Sequence, residues 1–174
     1  MDFITLLKNR RSKRKFTTAK VEKEKIELLI QAALLSPTGK KKNHWDFIVV
    51  ENAKTLEQLS FCKPHSASLI AGAPLSIVVI GDPLVSDTWI EDCSIASILI
   101  QLAAEDLGLG SCWVQVLHRE HNETLSADEY VKNLLGIPSE KMVLSIIAIG
   151  YPNESKKTFD AENLLRERIH FEKY

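Results

Sequence analysis

The chain has 174 residues, 45% of them hydrophobic and 26% charged, which suits one domain, residues 1–174, built around a sizeable core. Its formal net charge is -1, yet residues 1–42 carry 12 Lys/Arg against 4 Asp/Glu, about +8, so the remainder is about -9. A nucleic-acid binder is more often basic overall, so this asymmetry speaks for a local anion site rather than a track for a polyanion, and no nucleic-acid partner is expected.

Phe3, Ile4, Leu6 and Leu7 make a short apolar-periodic turn that Lys8 and Arg10 interrupt before it could form a signal-peptide core. Arg10-Arg11-Ser12-Lys13-Arg14 follows, and four cations with a hydroxyl cannot pack a core. Each cation can reach a shared anion, and Arg grips phosphate oxygens two at a time. If the segment is extended, Arg10, Ser12 and Arg14 point the same way, a sound geometry for one phosphate. On composition alone, a solvated basic face or a nucleic-acid patch is the plain alternative.

Val21–Ser36 has helical spacing (Ile26, Leu29, Ile30, Ala33, Leu34) and stops at Ser36-Pro37, where proline disfavours helix in its predecessor. Phe47–Val50 and Leu75–Ile80 are short apolar runs bounded by breakers and read as buried strands, with a short helix at Thr55–Phe61 between them. Asp92–Leu107 is apolar almost all round, as in a helix buried on several sides, and closes at Gly108-Leu109-Gly110. Its core, around Ile95–Ala104, is too short and interrupted to span a bilayer, so no membrane partner is expected. Trp113–Leu117 reads as a strand. Ser126–Leu135 reads as a helix with a capping box (Ser126 with Glu129) and a stop at Gly136, and Met142–Ile149 as a last strand. Helices alternate with strands, but the crossovers are uneven, which points to a sheet flanked by helices rather than a strict doubly wound fold. The Asp92–Leu107 helix has more apolar faces than one sheet covers, and the tail keeps aromatic residues to Tyr174, so a second subunit is a reasonable cover for both.

Ser36-Pro37-Thr38-Gly39-Lys40-Lys41-Lys42-Asn43-His44-Trp45 joins the first long helix to the first strand. Gly39 lets backbone approach a flat ligand closely, and the Asn43 amide suits a ring edge that carries donors and acceptors. At least two of the three lysines read as a solvated loop face. Cys62, Cys93 and Cys112, odd in number and at no metal spacing, read as free thiols of a reducing compartment, and a cytoplasmic location is expected. Cys112 opens a buried strand and is expected to be inert. His118 and His121 form an H-x-x-H without a third ligand at a useful spacing, so no metal is expected.

Arg10-Arg11-Ser12-x-Arg14-x-Phe16, Ser36-Pro37-Thr38-Gly39, Trp45-x-Phe47-Ile48-Val49-Val50, Gly72-Ala73-Pro74, Gly108-Leu109-Gly110-Ser111-Cys112-Trp113 and Ile149-Gly150-Tyr151-Pro152 occur in this order over essentially the whole chain. Together they resemble the nitroreductase family of FMN-dependent flavoenzymes. The resemblance implies an α+β three-layer sandwich: a central mixed, mostly antiparallel sheet flanked by helices, in an intertwined homodimer with FMN at the subunit interface. It also implies site residues. Arg10, Arg11, Ser12 and Arg14 match phosphate and ribityl contacts. Pro37, Thr38 and Gly39 match the loop that the partner subunit lays on the isoalloxazine, and Asn43 falls where relatives often have Gln or Arg. Gln115 and Val116 fall where the family presents backbone to flavin N5. Lys156 or Lys157 is the candidate for a further phosphate cation, with Lys157 preferred.

Two positions depart from the family pattern. Lys41 stands where relatives commonly have Asn, and its charge either sits near the flavin pyrimidine or turns to solvent. His44 stands where relatives commonly have Pro, as a substrate-pocket acid or, the plainer reading, a loop histidine. The implied activity is ping-pong transfer from NADH or NADPH to a small aromatic acceptor such as a nitroaromatic or quinone. The flavin carries the chemistry, so no catalytic acid or base is expected. The rival is a flavin-binding sensor or storage protein without turnover.

Overall fold

The computed structural model describes residues 2–174. Along them run α1 (Phe3–Asn9), α2 (Lys23–Leu34), β1 (Asp46–Val50), α3 (Ala53–Leu59), β2 (Leu75–Gly81), α4 (Trp89–Asp106), β3 (Gly110–Gln115), α5 (Ala127–Leu135) and β4 (Met142–Gly150). The strands form one sheet in the order β1-β2-β4-β3, with every neighbouring pair antiparallel. Parallel pairing among the described residues is confined to the single bridge between Ser12 and Ser111.

Alternation along β2 separates the two cores. Leu75, Ile77 and Val79 pack with Leu29 and Ala33 of α2 and Cys93, Ile100 and Ala104 of α4. Val78 and Ile80 pack on the opposite face with Leu56 and Leu59 of α3 and Ala127 and Val131 of α5. This is the expected α+β sandwich: α2 and α4, then the sheet, then α3 and α5. A central strand with helices on both faces has no wet side, so β2 is buried at every residue. Burying one such Leu or Ile side chain contributes about 1.5–3 kcal/mol.

Local signals act where expected. Ser126 and Glu129 form a full capping box, and Gly136 ends α5 at φ +67°. Gly108, at φ +73°, ends α4, with the Leu109 N–H donating to Ala104 C=O at 2.8 Å. Some bounds differ. The opening turn is a helix, because the Asp2 carboxylate caps it by accepting from Thr5 N–H at 3.0 Å. Helix α4 begins at Trp89 rather than Asp92, because the indole packs on Gly81, where a Cβ would meet Trp89 Cε3 at 2.6 Å. Strand β3 begins at Gly110 rather than Trp113, since pairing with Gly150 starts directly after the helix stop.

Two apolar surfaces lie open. Phe3, Ile4 and Leu7 of α1, Leu28 and Leu34 of α2, and Ile95 and Ile98 of α4 are exposed, and a groove of about 530 Å³ runs between these helices. In the tail, Phe171 is 86% exposed and Tyr174 fully so, a poor placement for aromatic rings in water. The tail is tied back to α1 where Phe159 N–H donates to Lys8 C=O at 2.8 Å.

Candidate functional site

The basic segment lies along the open edge of β3. Lys13 N–H donates to Ser111 C=O at 2.9 Å, Thr17 N–H to Tyr151 C=O at 2.8 Å, and Asn153 N–H to Lys15 C=O at 2.8 Å. These bonds hold residues 12–17 between β3 and the turn after β4. The contact is close: a Cβ on Gly110 would meet Lys13 Cγ at 2.8 Å, and one on Gly150 would meet Phe16 Cβ at 3.2 Å. Glu154 completes the clamp. Its carboxylate accepts from the Arg14 and Lys15 N–H groups and pairs with Lys156 at 2.8 Å, which together hold its pKa down at about 2.

Because Glu154 is engaged with backbone, the guanidinium groups stay available. Neither Arg10 nor Arg14 has a carboxylate at salt-bridge distance among the described residues. Arg14 lines a trough of about 570 Å³ with Phe16, Ser66, Ser68, Gly72 and Asn153. Ser12 bridges to Ser111 of β3, and its hydroxyl and the Arg14 charge both act on the buried Cys112 thiol, whose pKa burial raises all the same. Arg11 turns elsewhere. It donates to Lys157 C=O and faces, with Lys8 and Lys157, a cavity of about 880 Å³ under the returning tail. Arg10 and Lys13 act on Glu105 of α4, whose pKa is nevertheless raised by burial.

Strand register decides what β3 offers. Val116 N–H donates to Leu144 C=O at 3.1 Å, so it is committed to β4. Antiparallel alternation then turns the backbone N–H of Gln115 outward, to the side where Ser111 C=O receives Lys13. The Gln115 side chain is held separately, accepting from Trp113 Nε1 at 2.9 Å and donating to Leu117 C=O at 3.1 Å.

The loop holding Pro37, Thr38, Gly39, Lys41 and Asn43 packs elsewhere, on the first turn of α4. Gly39 N–H donates to Asp92 Oδ2 at 3.0 Å, His44 Nε2 lies 2.8 Å from the same oxygen, and Thr88 Oγ1 donates to it at 3.2 Å. Burial alone would raise the Asp92 pKa, but these three hydrogen bonds outweigh it and hold the carboxyl below its ordinary value. The close approach at Gly39 is to Thr88, since a Cβ would run into Thr88 Oγ1. Thr38 and Asn43 bond each other across the loop, with Asn43 N–H donating to Thr38 Oγ1 at 3.0 Å. Lys40, Lys41 and Asn43 all have positive φ, which turns the lysines outward, and Lys41 is exposed. His44 is fully buried and bonded to Asp92, in line with the plainer reading of a loop histidine, and it belongs to the anchor of the loop.

Thus one chain brings Ser12, Arg14 and Gln115 to one sheet edge, puts Arg11 with Lys157 beside it, and holds the 37–43 loop at the end of α4. Reading the sequence missed Asp92, Glu154, Ser66, Ser68 and Lys63. A Glu soon after Gly-Tyr-Pro and a Lys in the irregular Cys62-Lys63-Pro64-His65 stretch were faint signals. The cysteines are free and buried, with thiol pKa values pushed up by burial, to about 11 for Cys62 and about 12 for Cys93. His121 Nδ1–H donates to Phe61 C=O at 2.8 Å and the ring stacks on Tyr130, so it serves packing.

The donor set fits a phosphate-bearing cofactor: the Arg14 guanidinium and the Ser12 hydroxyl belong to one sheet edge, with Arg11 and Lys157 beside it, while Arg10 lies towards Glu105 of α4 rather than with Arg14. The model of the nitroreductase family matches residues 7–61 and 61–151. A solved FMN-dependent nitroreductase from Clostridium difficile R20291 is 43% identical and superposes with a TM-score of 0.98, covering 99% of this chain and 100% of its own. A structure provisionally named NADH oxidase, from Clostridium acetobutylicum, is 32% identical with a TM-score of 0.88, covering 97% of this chain and 99% of its own. A protein of Archaeoglobus fulgidus, provisionally named NADH dehydrogenase/NAD(P)H nitroreductase, is 35% identical over 98% of both chains. The chain belongs to the nitroreductase family of FMN-dependent NAD(P)H oxidoreductases.

Proposed function

We propose that this protein is a cytoplasmic FMN-dependent oxidoreductase, driven by NADH or NADPH in ping-pong order, that acts as a homodimer on nitroaromatic or quinone-like acceptors. The observation that carries this reading is the basic segment laid on the open edge of β3 at Ser111, with the Arg14 guanidinium free of any carboxylate among the described residues and the Gln115 N–H turned out further along the same edge. Bound FMN supplies the redox chemistry, taking a hydride from the nicotinamide and passing reducing equivalents to the acceptor.

The chain's own residues bind and orient. Arg10, Arg11, Ser12, Arg14 and Lys157 would hold the phosphate and ribityl chain, and the outward N–H of Gln115, next to Val116, would address the ring edge. Pro37, Thr38, Gly39, Lys41 and Asn43 would come from the partner subunit. In support, Gly39 and the neighbouring Lys42 bond to α4 and the turn before it, whereas the basic segment bonds to β3 and residues 151–157. A second copy would also cover the apolar groove between α1, α2 and α4 and the exposed rings of the tail.

The deciding experiment is anaerobic stopped-flow reduction of the FMN-loaded protein by NADH and by NADPH, followed by nitroaromatic and quinone acceptors. Rapid bleaching and reoxidation by either acceptor class support the reading. A yellow protein that neither nicotinamide bleaches is a flavin binder without turnover.

A further inference from the structure

Ser66 and Ser68 line the trough beside Arg14 and also a neighbouring cavity of about 490 Å³, whose other walls include Lys63, Pro64 and His121. Through Lys63, Pro64 and Ser66 that cavity meets a smaller one of about 260 Å³, which adds His65, Arg119 and Glu120. Lys63 is half-buried, and burial together with the nearby Arg119 charge pulls its pKa below the usual lysine value. Two cations therefore share a pocket at some mutual cost. Neither has a salt-bridge partner among the described residues, and Glu120, in the same pocket, pairs with neither. The buried Cys112 thiol feels both Arg14 and Lys63, which puts the two cation groups in one electrostatic neighbourhood. Ser66 stands at the junction of all three cavities at φ +63°, a conformation uncommon for serine.

Two cations without carboxylate partners on one cavity, Lys63 half-buried and Arg119 exposed, suit an anion whose oxygens both can reach. We propose that Lys63 and Arg119, with Ser66 at the junction, form an anion subsite beside the trough that takes the carboxylate or phosphate oxygens of a substrate docked against the trough's occupant. The assignment of that substrate as a redox partner rests on the FMN oxidoreductase reading; the anion chemistry does not. A phosphate of the nicotinamide and a carboxylate of an acceptor share this chemistry.

The test compares wild type with Lys63→Gln/Arg119→Gln in matched pairs. For the reductant the pair is NADH and 1-benzyl-1,4-dihydronicotinamide, which has no phosphate. For the acceptor it is 4-nitrobenzoate and its neutral analogue 4-nitrobenzamide, followed by turnover and by calorimetric binding to the protein as purified. Loss of charge-assisted contacts should raise KM or Kd for the anionic member of one pair about tenfold or more, leaving the neutral member within about twofold. Whichever pair responds names the source of the anion. Lys63→Arg/Arg119→Lys, which keeps both charges, should restore most of the loss. Equal effects on the charged and neutral members of both pairs overturn the subsite. Selective 4-nitrobenzoate binding, lost in the double variant, in a protein that neither dihydronicotinamide reduces would keep the subsite and overturn the redox reading.

Discussion

His44 Nε2 and Asp92 Oδ2 stand 2.8 Å apart, both side chains buried, although the two residues are 48 positions apart in the chain. The same oxygen accepts from Gly39 and Thr88, so one carboxylate ties the 38–44 loop to the first turn of α4. Asp92→Ala would strand the buried His44 donor and the Gly39 N–H, at a cost of about 3–5 kcal/mol. His44→Ala leaves the carboxylate two donors and should cost about 1–3 kcal/mol. Urea unfolding of both single variants and the double variant should show coupling above about 1 kcal/mol. Amide exchange at Gly39 should accelerate in Asp92→Ala. Additive losses with unchanged exchange would mean that the pair does not anchor the loop.

Replacing Arg10 and Arg14 by Ala should leave the fold intact, since their side chains contribute nothing to either core. Each charge-assisted phosphate contact contributes about 1.5–3 kcal/mol, so FMN should dissociate and the purified protein be colourless. Normal flavin content in the double variant would remove the basic segment from the site.

Glu154 gives a pH dependence of definite sign. Its folded pKa of about 2 lies below the ordinary 4.5, so its stabilisation is fully present above about pH 5. It is lost as pH falls through the interval between those values. Glu154→Gln keeps an acceptor oxygen but has no charge to lose. Thermal unfolding should show the variant less stable than wild type at pH 7, with the gap closing towards pH 3. A gap independent of pH would mean that the carboxylate charge does not matter.

Lys40 and Lys41 both have φ above +50°, where Asn is better tolerated than Lys, so Lys40→Asn and Lys41→Asn should fold at least as well as wild type. If the Lys41 ammonium reaches the pyrimidine edge of a partner-bound flavin, Lys41→Asn alone should lower the midpoint potential. At an effective dielectric near 20 the interaction is worth a few kcal/mol, on the order of 4 at about 4 Å. Identical potentials in both variants and the parent would mean that Lys41 points into water, where its charge is screened.

Removing residues 168–174 takes away Phe171 and Tyr174, exposed in the single chain. In a homodimer that buries them, thermal stability and flavin retention should fall together. A truncated protein that stays fully yellow and equally stable, or a wild type that sediments as a monomer at micromolar concentration, would count against the dimer.

The elements legible in the sequence are those that local chemistry determines. The capping box at Ser126, the left-handed stops at Gly108 and Gly136 and the apolar runs of β2 and β4 depend on residues a few positions apart, and each stands where its pattern puts it. The basic segment was equally plain, because nothing in a core can use four cations. What the sequence did not show is pairing over distance. Glu154 meets Arg14 across 140 residues and His44 meets Asp92 across 48, and neither residue advertises its partner. Those contacts follow from strand order and register, as does the outward turn of the Gln115 N–H. The start of α4 likewise waits on Trp89 finding Gly81. Periodicity reports which face of an element is apolar; only the packed sheet decides which faces meet, and that decision makes the site.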